Sequence, residues 1–203
     1  FKKLTKLKWV SRRLYHRSLA ISQRPVAPKA LNLNSRALRP NRKEHVIVTE
    51  VGKDPSIATE ADLDVLREQL DRVPRGVVGI GARCVCGRPT VVKTAPRLED
   101  GSPFPTTFYL TSPPIVKACS TLEAEHVMED FNDLLANDEE VATQYQAAHR
   151  DYIERRLELG DVPEISGVSA GGMPARVKCL HALVGHALAA GPGVNPIGDR
   201  ALA

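Results

Sequence analysis

Two of the four cysteines in this chain form the motif Cys84-x-Cys86-Gly87 at a predicted hairpin turn. Such a turn aims two thiolates and nearby amides at one point, which is a recurring way to hold zinc. The usual zinc spacing has two intervening residues, whereas this motif has one. The alternative is that both are small buried hydrophobes at a strand end. They are too close in sequence for us to expect a disulfide between them.

A second half of this site would have to come from the segment that holds Cys179, His181 and His186. If Pro174 begins a helix, Cys179 and His186 lie on one edge of its apolar stripe and His181 on the other. Seven residues of helix rise about 10 Å, which is long for two ligands of one ion. A helical side chain leans toward the N-terminus and shortens this gap. We therefore predict a zinc site with four ligands: Cys84, Cys86, Cys179 and His186. His181 is the substitute ligand. The alternative is packed thiols and hydrogen-bonded histidines.

A glycine-rich loop before the same segment predicts an anion site. Gly171 and Gly172 run into the helix predicted from Pro174, and a helix start presents free N–H groups and the positive end of its dipole. Arg176 and Lys178 add positive charge. We predict that a phosphorylated or other anionic small molecule binds here, with Asn195 from the following loop orienting it. The alternative is an ordinary helix-entry turn with two solvated cations.

Catalytic residues are less sharply indicated. His181 and Cys179 are the candidates for acid–base and nucleophilic work. The sequence has no Walker loop, no dinucleotide fingerprint and no evident Ser-His-Asp arrangement. Whether the chain is an enzyme stays open at this point.

The elements that must position these residues predict an α+β fold. Thr59 to Asp62 is a capping sequence that predicts a helix over 59–71. Three strands follow too closely for parallel crossovers, so we expect an antiparallel sheet over 76–83, 90–94 and 106–110. Later helices are predicted from Ser112, after a break at His126, from Asn137 to Gly160, and from Pro174. The prediction is a single domain over 55–203, with a small three-stranded antiparallel sheet and four to five helices.

Charge is divided unevenly along the chain. Residues 1–54 hold fourteen Lys and Arg against three acidic residues, whereas the remainder has a net charge of −7. The body therefore has no electrostatic support for binding nucleic acid. We expect residues 1–54 to be a basic, disordered leader outside the domain. An organellar transit peptide, or a basic arm for nucleic acid or anionic lipid, are the alternatives.

Cysteine usage and hydropathy bear on the compartment. Four cysteines in 203 residues do not make a disulfide scaffold, so we expect a reducing, cytoplasmic setting. No run approaches the eighteen or so apolar residues of a membrane helix, so we expect no membrane span.

Six sequence blocks of the domain form a set. They are Gly76-Val-Val-Gly, Cys84-x-Cys86-Gly87-x-Pro89, Thr94-Ala-Pro-Arg97-Leu, Pro103-Phe-Pro-Thr-x-x-Tyr109-Leu-Thr, Val168-Ser-Ala-Gly-Gly-Met-Pro-x-Arg176-Val-Lys-Cys-Leu-His181 and His186-x-Leu-Ala-Ala-Gly-Pro-Gly-Val-Asn195-Pro. Together they resemble the bacterial family called domain of unknown function 501, common in actinobacteria, over about residues 57–203. The family has no established activity, so the resemblance assigns no catalytic residue. Its genes often lie beside those of a septum-formation initiator and an exopolyphosphatase, which implies cell division or phosphate metabolism as a context.

Two functions from different classes follow. The first is an enzyme or binding protein for an anionic small molecule, with zinc as a candidate cofactor. The alternative is a non-catalytic structural or interaction module, in which the Cys/His cluster is structural and the acidic helices over 113–159 dock a protein partner. Nucleic acid would bind only through the basic tail.

Overall fold

The computed structural model describes residues 56–72 and 74–203, so the predicted basic leader lies outside the described residues. The described part contains three strands and six α-helices. In chain order they are α1 (Glu60–Leu70), β1 (Val77–Arg83), β2 (Pro89–Thr94), β3 (Phe108–Leu110), α2 (Pro113–Ala124), α3 (Val127–Asn137), α4 (Glu139–Leu157), a 3-10 turn (Pro163–Ile165), α5 (Leu180–Ala190) and α6 (Pro196–Leu202). The prediction of an α+β fold is confirmed.

The three strands form one antiparallel sheet in the order β1-β2-β3. Consecutive residues of a strand point to opposite faces, and β2 is buried on both. Val91 belongs to the main core, whereas Val92 packs with Leu66 of α1 and Ile80 of β1. The predicted small antiparallel sheet is confirmed, and it lies between α1 on one face and the helical core on the other.

Helix α1 begins at the predicted capping box. The Thr59 side chain accepts the Asp62 N–H, and the Asp62 carboxylate accepts the Thr59 N–H. Arg83 at the end of β1 donates to both carboxylate oxygens of Asp62, at 2.6 and 2.9 Å. This paired hydrogen bond holds the pKa of Asp62 well below its usual range. Asp62 of the capping box therefore also connects α1 to the sheet.

The main core surrounds α5, which is apolar on nearly every side. It packs against β3, α2 and α6, and Leu180, Leu183 and Val184 are almost fully buried. Gly185 lets β3 approach closely, since a Cβ there would lie 2.8 Å from the Phe108 carbonyl oxygen. Because most of α5 is packed in the core, the positions of the residues at its N-terminus are fixed.

The prediction of a helix from Pro174 is wrong, because α5 begins at Leu180. Residues 171–179 instead form a tight loop closed on itself. The N–H groups of Lys178 and Cys179 both donate to the Gly171 carbonyl, and the Arg176 N–H donates to that of Gly172. Asn132 of α3 supplies further bonds from outside the loop, accepting the Val177 N–H at 2.8 Å and donating to its carbonyl at 3.1 Å. These hydrogen bonds hold residues 171–179 as a loop rather than a helix.

One helix is additional to those predicted. The sequence predicts a loop over 191–199, but residues 196–202 form α6, which Asn195 caps by accepting the Gly198 N–H at 2.9 Å. Within residues 56–72 and 74–203, no helix is long and apolar enough to cross a membrane.

Candidate functional site

A carboxylate, a thiol and an imidazole meet where the end of α2 faces the start of α5. Glu123 lies in the last turn of α2, Cys179 is the residue before α5, and His181 is in its first turn. One ligand atom from each lies within 4.8 Å of those of the other two. All three side chains are partly buried, so the cluster is shielded yet reachable from solvent.

Glu123 connects the two helices. Its Oε1 accepts the Leu180 N–H at 2.6 Å and contacts His181 Nδ1 at 3.1 Å. The first N–H groups of a helix lack intrahelical partners and carry partial positive charge. A carboxylate from a neighbouring helix therefore caps α5 in place of the Cys179 side chain, which makes no cap bond.

Ser120 holds the other side of the His181 ring. Its Oγ lies 3.2 Å from His181 Nε2 and 3.0 Å from the carbonyl oxygen of Val116, one turn earlier in α2. A hydroxyl has one proton to donate. If it donates to Val116, then Nε2 carries the ring proton and the Nδ1 lone pair faces Glu123 and Cys179. If it donates to Nε2, then Nδ1–H donates to Glu123.

The thiol of Cys179 is held in its neutral form. Its Sγ lies 3.9 Å from His181 Nδ1. Burial, together with the negative charge of Glu123, raises the pKa of Cys179 above its ordinary value. The neighbouring Cys119 of α2 is deeper, and burial, together with the negative charge of Glu123, raises its pKa to about 12. Of these two thiols, only Cys179 is near the surface.

The four predicted zinc ligands are not brought together. Cys84 and Cys86 are joined by a disulfide at the β1–β2 turn, which corrects the expectation that they are too close to bridge. His186 is fully buried two turns into α5 and does not reach Cys179. His181, the substitute ligand, is the residue that lies beside Cys179.

His186 forms a separate buried network. Asn195 Nδ2 lies 3.2 Å from His186 Nδ1, and His186 Nε2 lies 2.8 Å from Asp151 Oδ1. Because an amide nitrogen only donates, Nδ1 accepts and Nε2–H donates to Asp151. The ring also stacks on Phe108 and meets the edge of Tyr152. Burial lowers the pKa of His186 despite the opposing effect of Asp151. This neutral histidine joins α4, α5 and the cap of α6.

The glycine loop packs tightly against its own chain. Gly171 and Gly172 have positive φ, and a Cβ at Gly172 would lie 2.5 Å from the Arg176 carbonyl oxygen. Arg176 and Lys178 are exposed, and Asn195 is buried. Anion binding by these residues stays a prediction, but the helix start that motivated it lies at Leu180 and is capped by Glu123.

Among known protein families, residues 80–203 match the family model described as protein of unknown function (DUF501). The chain belongs to this family. The matched DUF501 region includes the whole Glu123 cluster, the Cys84–Cys86 turn and the His186 network. No curated protein and no solved structure gives a significant match.

Sequence reasoning missed Glu123 and Ser120 of the DUF501 domain. The only local signal is that Cys119, Ser120 and Glu123 recur at spacings of three and four residues, which places them on neighbouring positions of one helix. That spacing does not show which other helix they face. The tertiary contact between α2 and α5 is what makes them part of the site.

Proposed function

We propose that the DUF501 domain binds one zinc ion through Glu123, Cys179 and His181, with a fourth position open to water or an anionic ligand. The observation that carries this proposal is the meeting of three different ligand atoms within 4.8 Å at the junction of α2 and α5. Three protein ligands with one open position are typical of catalytic zinc, whereas structural zinc sites are closed by four.

The mixture of donor atoms favours zinc over the common hard cations. Calcium and magnesium take oxygen ligands, with six or more around the ion. Cys179 supplies sulfur and His181 supplies nitrogen, which suit zinc and other soft or borderline metals. Glu123 adds one negative charge, so that a thiolate and a carboxylate together neutralise a divalent ion.

The surroundings of His181 suit a metal ligand. Metal-binding histidines usually donate their second ring N–H to a neighbour that fixes the tautomer. Ser120 is in place for that role, because its Oγ lies 3.2 Å from Nε2 and can accept from it while it donates to the Val116 carbonyl. In that proton arrangement the Nδ1 lone pair is free for a metal ion, which would replace the direct contact between Nδ1 and Glu123.

The helix cap is compatible with bound metal. Glu123 uses Oε1 for both Leu180 and His181. A carboxylate has a second oxygen and about four lone-pair positions. An ion can therefore replace the His181 contact while the Leu180 N–H stays capped.

The open position links this site to the anion predicted from the sequence. Bound zinc polarises phosphoryl or carbonyl oxygens and lowers the pKa of bound water. A phosphate or carboxylate oxygen can take the fourth position, which supports an anionic substrate class without fixing a reaction.

The zinc content of the full chain, purified without chelator, tests the proposal. We expect about one zinc per chain, and its loss in Cys179→Ser and His181→Ala with the fold retained by circular dichroism. His126→Asn is the matched control, since His126 is an exposed histidine at a positive φ that Asn tolerates. If Cys179→Ser keeps full zinc, the proposed ligand set is wrong. If the wild type binds none when titrated, the zinc proposal is wrong and the cluster is only a polar contact between α2 and α5.

A further inference from the structure

The Cys84–Cys86 disulfide lies at the exposed tip of the β1–β2 hairpin and includes none of the proposed zinc ligands. Val85 between the cysteines is 55% exposed. Cys86 is exposed as well, whereas Cys84 is only partly so. A partner can therefore reach the bond from the side of Cys86.

The hairpin does not depend on this disulfide for its shape. The Cys84 N–H donates to the Arg88 carbonyl, and the Gly87 N–H donates to the Cys84 carbonyl, both at 2.9 Å. The Arg83 guanidinium donates to the Gly87 carbonyl at 3.0 Å. The entropic stabilisation from a disulfide grows with the length of the loop that it closes. This loop is very short, because a single residue separates the two cysteines. A structural role therefore explains little of its presence.

The two sulfur atoms are not equivalent. The Cys86 N–H donates to Cys84 Sγ at 3.2 Å. A hydrogen bond of this kind stabilises negative charge on the sulfur that accepts it. Since exchange is faster when the leaving thiol is stabilised as thiolate, Cys84 is the better leaving group. Cys86 is the sulfur open to attack.

We infer that Cys84 and Cys86 form a thiol–disulfide exchange site that accepts two electrons from a dithiol, such as two cysteines of a partner protein. The partner's thiolate attacks Cys86 Sγ, the Cys84–Cys86 bond breaks, and Cys84 leaves as a thiolate that takes up a proton. The partner's second thiolate then attacks the partner sulfur of the mixed disulfide and releases Cys86, which is protonated. The partner ends as a disulfide and the hairpin as a dithiol.

Dithiothreitol serves as the probe dithiol for the full chain, which is first oxidised with glutathione disulfide and then desalted. After alkylation, the tryptic peptide Cys84–Lys93 reports this pair alone, because Cys119 and Cys179 lie in other peptides. We expect complete reduction in the folded protein, with the melting temperature changed by less than about 2 °C. Failure to form the bond under oxidant, reduction only in denaturant, or a fall above about 5 °C on reduction would each overturn the inference.

Trapping the mixed disulfide tests the direction of the exchange. The oxidised wild type reacts briefly with glutathione, and free thiols are then alkylated. Fragmentation of the same tryptic peptide should show glutathione on Cys86 at least about ten times as often as on Cys84, because Cys86 is the exposed sulfur and Cys84 the better leaving group. Equal amounts, or more glutathione on Cys84, would contradict the assigned direction. The zinc content of Cys84→Ser and of Cys86→Ser should match that of the wild type, which separates this inference from the zinc proposal.

Discussion

The carboxylate of Glu123 on α2 accepts the backbone N–H of Leu180, the first residue of α5, at 2.6 Å. The positive end of the α5 dipole is thus occupied by an anion that the protein itself supplies. The same oxygen contacts His181 Nδ1, so helix capping and the proposed metal site share one side chain. Changes at Glu123 should therefore affect both stability and metal binding.

Substitutions at Glu123 separate its two roles. Glu123→Ala removes the cap, and we expect the free energy of unfolding to fall by about 0.5–2 kcal/mol. Glu123→Gln keeps an oxygen for Leu180 but removes the charge, so stability should fall less while zinc affinity still falls. Urea unfolding of the chelator-treated protein and zinc titration measure the two effects. Glu125→Ala, at an exposed residue that follows α2, is the control and should change neither. Unchanged zinc affinity in Glu123→Gln would remove Glu123 from the ligand set.

Zinc affinity should depend strongly on pH through Cys179. Burial raises the pKa of this thiol, so it is protonated at neutral pH and must lose its proton to bind metal. The dissociation constant should therefore fall by about tenfold for each pH unit between about pH 6.5 and 8. Competition titrations with a chromogenic chelator at several pH values measure this slope. A flat dependence would mean that no thiol proton is displaced and that Cys179 is not a ligand.

His186 should contribute to stability as a buried, neutral side chain. His186→Leu leaves Asp151 and Asn195 without their shared partner, and we expect a loss of about 2–4 kcal/mol in urea unfolding. His126→Asn, at an exposed position, should lose less than about 0.5 kcal/mol. A loss below about 1 kcal/mol in His186→Leu would contradict the network role.

The same histidine predicts how stability changes with acid. An unfolded histidine has a pKa of about 6.5, and burial lowers the pKa of His186 in the folded protein. Below about pH 6.5 His186 takes up a proton in the unfolded chain but not in the folded one. Its contribution to the free energy of unfolding therefore falls as pH falls, and this contribution is constant above about pH 6.5. His149, whose pKa is also lowered by burial and by Arg150 and Arg156, acts in the same direction. In His186→Leu the slope between about pH 5 and 6.5 should be smaller but not zero, and an unchanged slope would refute the assignment to His186.

Substitution of glycine should destabilise the protein more at crowded Gly172 in the loop than at open Gly167 before it. Gly172→Ala places a Cβ 2.5 Å from the Arg176 carbonyl oxygen at φ +95°, whereas Gly167→Ala has similar backbone strain at φ +72° with nothing within 4 Å. We expect Gly167→Ala to lose about 1 kcal/mol and Gly172→Ala to lose at least 1 kcal/mol more. Thermal unfolding of both variants measures the difference. Equal losses would show that packing of the loop contributes nothing beyond the backbone conformation.

Local patterns predicted the local parts of this fold. The Thr59–Asp62 capping box, the strand of β1 and the break at His126 all depend on neighbouring residues, and all are present. The start of α5 was misplaced because the bonds that hold residues 171–179 as a loop include those from Asn132, more than forty residues away. No helix-start signal near Pro174 contains that information.

The candidate site divides in the same way. Cys179 and His181 were identified by residue type, but their partner Glu123 comes from another helix through tertiary packing. His186 and Asn195, which were also identified by residue type, are buried in the core and hydrogen-bond to each other. Spacing along a chain therefore found candidate ligands, and only the packing of α2 against α5 selects among them.

X-ray absorption at the zinc edge of the full, zinc-loaded chain is the sharpest test of the proposed ligand set, because it counts the ligand atoms by type. We expect one sulfur at about 2.3 Å and three nitrogen or oxygen neighbours at about 2.0–2.1 Å, with the sulfur contribution absent in Cys179→Ser. Two or more sulfur neighbours, or one that persists in Cys179→Ser, would contradict it.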